Sequence, residues 1–350
     1  MSETKVTRRN WLKYAAGGVA VVAVGGAAAY YALSSAPGPT PVTTTTKKLR
    51  VAMMIDGTTK EDKGWGQAHY TGLVKIKDKY NAEIAVTDMT SAATQQRIMR
   101  DYALAGYDIL LLTTYAYLED AKKLAPEYPN TWFVDLPAFN PGDVPKNLVV
   151  VNLKEEEGVY LSGMLAALMT KTNVVGAIAG ADYPSVIRTV EAYKMGARAV
   201  NPQIKILRTY LGTWGDPAKG KEAAIAQVDS GADVIYQYAD LSGLGVFEAC
   251  KEKRVWTIGS TVDQNNLAPD LVITSNLADY PNTNLKIADY YMEGALHSGQ
   301  IDFGLADGIV DIAPFHGLVP EDIAQKIQQA KQDIIAGKIK VPMVLEKTED

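Results

Sequence analysis

One arrangement of strands occurs twice in this chain, about 124 residues apart. The segment Ala105–Leu110 (AGYDIL) reappears as Ser230–Ile235 (SGADVI), and Thr131–Val134 (TWFV) reappears as Val255–Ile258 (VWTI). In each copy, short apolar runs alternate with longer mixed stretches, which predicts buried parallel strands joined by helical crossovers. Right-handed crossovers of this kind build doubly wound sheets with helices on both faces. A repeat of this length therefore predicts two similar α/β lobes rather than a solenoid.

The predicted elements follow the same order in both copies. The first copy contains predicted strands at Arg50–Ile55, Glu83–Thr87, Tyr107–Thr113, Thr131–Leu136 and Leu148–Asn152, and predicted helices at Gly66–Tyr80, Ala92–Ala105 and Leu118–Glu127. The second copy begins with predicted strands at Val174–Ala179 and Lys205–Tyr210. After them, Asp216 and Pro217 have the residue types of a helix N-cap and a first helical residue. The helix that they start is expected to stop just before Gly231.

The remainder of the chain, Pro281–Asp350, is too short to form a third lobe. It contains a predicted helix at Asn282–Leu296, a predicted strand at Gly308–Ile312 and a predicted helix at Pro320–Ala336. We expect these elements to be shared between the two lobes.

The expected lobe boundaries follow from this sharing. The first lobe comprises residues 49–153 plus about 280–310, and the second comprises residues 154–279 plus about 311–350. Crossovers near Asn152–Glu156 and Ser275–Asp279, together with the tail, predict a multi-stranded hinge. Two lobes on such a hinge, with the carboxyl ends of their strands facing each other, form a cleft that closes on a ligand.

The amino-terminal residues predict export from the cytoplasm. Thr7–Lys13 (TRRNWLK) resembles a twin-arginine export signal, and Tyr14–Leu33 is uncharged and long enough to span a bilayer. A buried core helix does not fit this run, because it is uniformly apolar with basic residues only before it. Residues 1–33 therefore predict either a cleaved signal or a retained membrane anchor. Residues 34–48 are rich in Pro and Thr, which is typical of an extended tether.

Composition argues against several classes of function. The net charge is −5 and the pI is about 5.4, so nothing indicates a nucleic-acid partner. The single cysteine, Cys250, precludes internal disulfides and is expected to be a core residue. The three histidines, His69, His297 and His316, lack metal-ligand spacing, and neither dinucleotide-binding nor phosphate-binding glycine loops follow the first strands. We therefore expect no metal, no cofactor, no catalytic residues and no enzymatic activity.

Two tryptophans, one in each copy, lie in loops between a strand and the helix after it. Trp214 lies between the strand that ends at Tyr210 and the helix that starts at Asp216, and Trp65 lies in the loop after the first strand. Gly64, next to Trp65, is a further candidate, because a glycine lets the backbone approach a ligand closely. Such strand-to-helix loops line the crevice in which open α/β sheets bind ligands. Packing of Trp214 onto the core of its own lobe is the alternative. We expect the two indoles to stack on opposite faces of a planar ligand.

Polar residues at the strand ends would orient such a ligand. The candidates are Asp56, Thr114, Tyr115, Asp135 and Asp240. Carboxylates accept hydrogen bonds from ring N–H groups and exocyclic amines, which suits a purine. Each aspartate has an alternative role in capping its own loop or helix. Arg188 and Asn276 are further candidates; a surface ion pair is the alternative for Arg188. The run Glu155–Glu157 is interpreted as structural, because carboxylates stabilise a helix amino terminus.

These segments together resemble the basic membrane protein (BMP) family of substrate-binding proteins. The resemblance covers about Leu49–Ala336 and rests on five segments: Asp62–Gly72 (DKGWGQAHYTG), Ala105–Tyr117 (AGYDILLLTTYAY), Gly212–Ala224 (GTWGDPAKGKEAA), Gly231–Asp240 (GADVIYQYAD) and Asp307–Ile323 (DGIVDIAPFHGLVPEDI). It implies a type I periplasmic-binding-protein fold that serves an ABC importer of purines or nucleosides. It also implies that aromatics at positions like Trp65 and Trp214 clasp the base, while acids near Asp56 and Asp135 contact its edge.

The chain departs from the nucleoside-binding branch of that family at two positions. Thr261 and Ala278 replace an Asp and a Lys that grip ribose there. The Gly64-Trp65 loop, the segment Thr213–Pro217 (TWGDP) and Asp240 resemble more closely the branch that binds free purine bases such as adenine. A buried ribose without charged partners would bind more weakly.

The resulting hypothesis is an extracytoplasmic, monomeric binding protein that captures a purine base or nucleoside and delivers it to an ABC permease. A sugar or other polar solute is the alternative ligand class for the same fold. An exported nucleoside-processing enzyme and a receptor domain that senses nucleosides without transport are alternatives of other classes.

Overall fold

Two six-stranded sheets form the framework of the described residues, which are 48–61, 64–139 and 142–349 of a computed structural model. The strands are β1 (Arg50–Asp56), β2 (Glu83–Thr90), β3 (Ile109–Leu112), β4 (Trp132–Asp135), β5 (Leu148–Leu153), β6 (Val174–Ala179), β7 (Lys205–Tyr210), β8 (Val234–Tyr238), β9 (Trp256–Thr261), β10 (Val272–Ala278), β11 (Gly299–Phe303) and β12 (Val310–Ile312). The α-helices are α1 (Trp65–Tyr80), α2 (Gln95–Leu104), α3 (Leu118–Leu124), α4 (Glu155–Met169), α5 (Pro184–Val200), α6 (Pro217–Asp229), α7 (Leu241–Lys253), α8 (Tyr280–Met292) and α9 (Glu321–Ile335).

The predicted export segment, residues 1–33, and the predicted tether up to residue 47 lie outside the described residues. In the part of the chain that is described, no helix combines the length and the apolar character needed to cross a membrane.

The two sheets have corresponding strand orders. The first has the order β11-β5-β4-β3-β1-β2 and is parallel throughout. The second has the order β12-β10-β9-β8-β6-β7, and its β12 runs antiparallel to β10. When each order is read from its β2 or β7 end, the first five positions correspond: β2 to β7, β1 to β6, β3 to β8, β4 to β9 and β5 to β10. The duplicated, doubly wound α/β fold predicted from the sequence is therefore confirmed.

The central strands are buried because helices cover both faces of each sheet. All four residues of β3, Ile109–Leu112, are buried, and so is Val234–Tyr236 at the equivalent place in β8. These are the unbroken apolar runs that the sequence shows, and such runs are typical of parallel strands. Their burial leaves the strand ends and the loops after them to carry the polar groups.

The chain passes between the lobes three times within the described residues. β5 leads into α4, which packs against β10 and α5 of the second lobe. β10 leads into α8, which returns to pack along α1 of the first lobe. β11 then pairs with β5, and the chain crosses once more to β12, which pairs with β10. The first sheet is therefore completed by β11, which comes after the whole second copy, and the second sheet is completed by β12, which comes after β11.

The sequence pattern does not predict β11. Of its five residues only Phe303 is buried, because β11 lies at the edge of the first sheet. An exposed edge strand has no continuous apolar run by which it could be recognised.

The helix signals after Trp214 are confirmed. The Asp216 side chain accepts a hydrogen bond of 3.0 Å from the backbone N–H of Lys219, and Pro217 is the first residue of α6. At the other end Gly231 has a φ of +101°, a conformation that glycine adopts without steric cost. The loop that carries Trp214 is therefore held between the end of β7 and a capped helix.

Candidate functional site

Two carboxyl groups lie at strand ends of the first lobe. β1 ends at Asp56 and β4 ends at Asp135, and Leu112 of β3 pairs with Asp135. The Asp135 side chain is fully buried, and neither of its oxygens has a hydrogen-bond partner among the described residues. Burial raises the pKa of Asp135 well above its usual range, and burial also raises the pKa of the half-buried Asp56. A neutral Asp135 carboxyl can both donate and accept a hydrogen bond.

Tyr117 lies beside both carboxyl groups, although the sequence analysis does not single it out. Its hydroxyl shares a hydrogen bond with Thr90 Oγ1, which in turn donates to the carbonyl oxygen of Ile55 at 3.0 Å. Burial raises the pKa of Tyr117, and the charges of Asp56 and Asp135 add to the rise. These three side chains therefore form one polar cluster at the end of the first sheet.

The loop after β3 contains the candidates Thr114 and Tyr115. The Thr114 hydroxyl accepts the backbone N–H of Ala116 at 3.4 Å and so caps a single 3₁₀ turn. Tyr115 is exposed, and its ring stacks on Phe139 with centroids 5.4 Å apart. The guanidinium carbon of Arg188 lies 5.0 Å from the centre of the Phe139 ring. Tyr115 thus belongs to a stack that joins the first lobe to α5 of the second.

Trp65 is held at the start of α1 by two buried aromatic residues. Its ring meets His69 edge-on, with centroids 5.0 Å apart and an interplanar angle of 76°. His69 in turn lies 4.5 Å from the ring of Tyr280, the first residue of α8. Burial raises the pKa of Tyr280 well above its usual range, and the nearby Glu155 carboxyl adds to the rise.

The buried His69 is neutral. Burial lowers its pKa to about 3, and its Nε2 has no hydrogen-bond partner among the described residues. An uncharged imidazole packs between Trp65 and Tyr280 without the cost of desolvating a charge.

Trp214 is partly buried and lies in the loop between β7 and α6. Its ring meets Tyr238 edge-on, with centroids 6.3 Å apart and an interplanar angle of 72°. A Cβ built on Gly180, which follows β6, would lie 2.3 Å from Trp214 Cε3. The Trp214 carbonyl accepts the backbone N–H of Ser242 at 2.9 Å, which ties the loop to the start of α7. Trp214 therefore packs against the strand ends of its own lobe.

Asp240 and Asn276 lie in different surroundings. Asp240 is exposed, has a φ of +49° and precedes α7, yet its side chain makes no capping hydrogen bond to that helix. Asn276 is fully buried in β10, where a Cβ on Gly158 of α4 would lie 2.4 Å from its Oδ1. Neither polar atom of the Asn276 side chain has a hydrogen-bond partner among the described residues. The Asn276 side chain thus lies against α4 at Gly158.

Arg188 is buried at the junction of the lobes, and the interpretation of a surface ion pair is wrong. Its guanidinium donates to Asn152 Oδ1 at 2.7 Å and to the Leu153 carbonyl at 2.8 Å, both at the end of β5. Glu156 Oε2 lies 3.7 Å away. The sequence pattern misses this placement because it does not show which helix of the second lobe meets β5.

An open cavity of about 460 Å³ lies between the lobes. Of the candidate residues, Gly64 lines this cavity, whereas Trp65, Trp214, Asp56 and Asp135 are not among its lining residues. Gly64 and the first turns of α1 form one wall, and the ends of β9 and β10, including Thr261 and Ala278, form the other. Among the described residues, no group of His, Cys, Asp or Glu side chains is arranged to hold a metal ion.

Comparison with known proteins identifies the family. The Bmp family model, described as ABC transporter substrate-binding protein PnrA-like, matches residues 48–344. Basic membrane protein A of Borreliella afzelii is 28% identical over 84% of this chain and 91% of its own length. A purine-binding protein of Brucella abortus is 25% identical over 84% of this chain and 83% of its own length. A solved solute-binding protein of an Aeropyrum pernix ABC transporter system shares the fold, with a TM-score of 0.74 and 22% identity over 84% of this chain and 94% of that one. The chain therefore belongs to the Bmp family of ABC transporter substrate-binding proteins.

Proposed function

We propose that this protein binds a free purine base between Trp65 and Trp214 and delivers it to an ABC permease. The observation that carries the proposal is the Asp135 carboxyl, which is fully buried and has no partner among the described residues. Buried polar side chains nearly always have a hydrogen-bond partner. A ligand that presents N–H donors and ring nitrogens would supply the partner that Asp135 lacks.

The two tryptophans support a flat aromatic ligand. Both indoles are only partly buried, and a neighbouring ring packs edge-on against each of them. Trp65 follows the first strand of its lobe, and Trp214 follows the second strand of its lobe. Stacking of a base on one aromatic side chain contributes roughly 1–3 kcal/mol. Micromolar binding requires about 8 kcal/mol, so hydrogen bonds at the base edge must supply a large share.

A neutral Asp135 favours adenine among the purines. An adenine edge offers an amine donor beside a ring-nitrogen acceptor, and a protonated carboxyl can satisfy both at once. The corresponding edge of guanine offers two donors, which suits an ionised carboxylate. The raised pKa of Asp135 favours the protonated carboxyl and, with it, adenine.

A base is favoured over a nucleoside by the other wall of the cavity. Thr261 and Ala278 line it, and neither can form a charged hydrogen bond to ribose hydroxyls. The family membership supports a permease as partner, and one relative is named a purine-binding protein. We also propose that the protein works as a monomer outside the cytoplasm, exported or tethered through residues 1–33.

Isothermal titration calorimetry of the detergent-solubilised full chain with adenine, guanine, adenosine and ribose tests the proposal. Adenine is expected to bind most tightly, adenosine more weakly and ribose not at all. Tight ribose binding without adenine binding would replace the proposal by a sugar-binding function. Release of adenine from adenosine during the titration, followed by chromatography, would replace it by an enzymatic one.

A further inference from the structure

Glu155 lies at the junction of the lobes and bridges two tyrosines. It is the first residue of α4, directly after the crossover from β5, and is 2% exposed. The Tyr238 hydroxyl donates to Glu155 Oε2 at 2.9 Å, and the Tyr280 hydroxyl donates to Glu155 Oε1 at 3.0 Å. One buried carboxylate thus holds the end of β8 in the second lobe and the start of α8 in the first.

Each of these tyrosines also supports one of the two tryptophans. The Tyr280 ring packs on His69, which meets Trp65 edge-on. Tyr238 meets Trp214 edge-on at 6.3 Å. A continuous chain of side-chain contacts therefore connects the two indoles, in the order Trp65, His69, Tyr280, Glu155, Tyr238 and Trp214.

The position of this bridge follows from the duplication. α4 and α8 are equivalent helices, since each follows the fifth strand of its half, and Glu155 and Tyr280 are their first residues. The bond between them joins equivalent points of the two halves, close to both crossovers. A bond placed there can stay intact while the lobes move about the hinge.

The neighbouring carboxylates on α4 have different partners. Glu156 lies beside Arg188, and Glu157 accepts the backbone N–H of Leu305 at 2.9 Å. A favourable interaction with the helix amino terminus is common to all three carboxylates and does not distinguish Glu155. Glu155 differs from its two neighbours because it accepts hydrogen bonds from two tyrosine hydroxyls.

We propose that Glu155 is a positioning residue, which fixes the spacing and tilt of the two indoles by holding one tyrosine behind each of them. Where it concerns purine affinity, this inference rests on the proposed function. Where it concerns the placement of the indoles, the inference does not depend on the proposed function. The two parts are therefore measured separately.

The affinity part is tested by a double-mutant cycle on adenine binding. Glu155→Ala is expected to weaken binding about tenfold, because two hydrogen bonds to a charged group are lost. In the Trp65→Ala/Trp214→Ala background the same change is expected to have no further effect. An equal loss in both backgrounds would show a general structural role and overturn the proposal. Glu157→Ala is the control on the same helical turn, and its affinity is expected to match the wild type.

The placement part needs no ligand. With 5-fluorotryptophan incorporated, ¹⁹F NMR resolves the individual indoles once each is assigned by its Trp→Phe variant. Glu155→Ala is expected to shift the Trp65 and Trp214 signals and leave those of Trp132 and Trp256 in place, and Glu157→Ala is expected to shift none of the four. Unchanged Trp65 and Trp214 signals would overturn the proposal even if adenine binds. If adenine fails to bind the wild type, the proposed function falls while this measurement still decides the role of Glu155.

Two milder variants cover the case in which Glu155→Ala does not fold. Tyr280→Phe is expected to shift only the Trp65 signal, and Tyr238→Phe only the Trp214 signal. If both variants leave both signals in place, the proposal is overturned.

Discussion

Trp214 lies against Gly180 so closely that no side chain fits there: a Cβ at position 180 would be 2.3 Å from Cε3 of the indole. Gly180 follows β6 at the end of the second sheet, and its N–H donates to the Tyr238 carbonyl at 2.9 Å. The bare backbone at this point lets the indole approach the strand ends. The position of the ring is therefore set by the glycine below it and by Tyr238 beside it.

We predict that Gly180→Ala lowers adenine affinity by about tenfold, which corresponds to about 1.4 kcal/mol. The added methyl group displaces the Trp214 indole from its position against the strand ends, and overpacking of this kind costs typically about 1–3 kcal/mol of stability. Calorimetry and thermal denaturation measure the two effects. Gly215→Ala is the matched control, because a Cβ there would have no neighbour within 4 Å. Equal behaviour of the two variants would contradict the prediction.

Trp65→Ala and Trp214→Ala are each expected to weaken adenine binding by roughly 1–3 kcal/mol, since each removes one stacking surface. Both variants should stay folded, as judged by circular dichroism. Trp256→Phe is the control, because Trp256 is the first residue of β9, at the strand end opposite to the site. If affinity is retained in both alanine variants, the ligand is not held between the two indoles.

Asp135→Asn is predicted to stabilise the ligand-free protein at neutral pH. The folded-state pKa of Asp135 is raised by burial, so its neutral form is favoured by folding. The stability that comes from this preference is fully present below about pH 4 and is lost as the pH rises toward the folded-state pKa. The difference in unfolding free energy between variant and wild type should therefore grow with pH over that range. Urea denaturation at several pH values measures it, and the exposed Asp143→Asn should show no such trend.

The contribution of His69 to the free energy of unfolding is predicted to change with pH in the opposite direction. Its folded-state pKa is lowered to about 3, so the neutral imidazole is favoured by folding. The corresponding stability is present above about pH 6.5 and is lost as the pH falls toward 3, at up to about 1.4 kcal/mol per pH unit. His69→Phe should remove this slope from the denaturation data. His297→Phe, at an exposed position, should leave the slope as it is in the wild type.

The sequence predicts the fold well because the information is local and repeated. Unbroken apolar runs identify β3 and β8, and the Asp-Pro pair identifies the start of α6. The strand β11 has no such signal, since its side chains are largely exposed. Two copies of one pattern then indicate the same doubly wound arrangement in both lobes.

The site is predicted only in part. Asp56 and Asp135 at strand ends, and both tryptophans in the loops after strands, are candidates that the sequence pattern indicates, and their contact with a ligand stays a prediction. The pattern does not indicate the roles of Tyr117, His69 and Tyr280, because each depends on contacts with residues far away in the chain. Tyr280 and Glu155 are the clearest example, since their hydrogen bond joins the amino termini of helices in different lobes. Arg188 is similar, because its partners Asn152 and Leu153 belong to the opposite half of the chain.

The shared strands have a consequence for biosynthesis. β5 pairs with β11, and the whole second copy of the repeat is synthesised before β11. Until then the nascent first half presents β5 as an open edge, and open edges of parallel strands invite pairing with other chains. The first sheet therefore reaches its full set of strands only after the second copy has been synthesised.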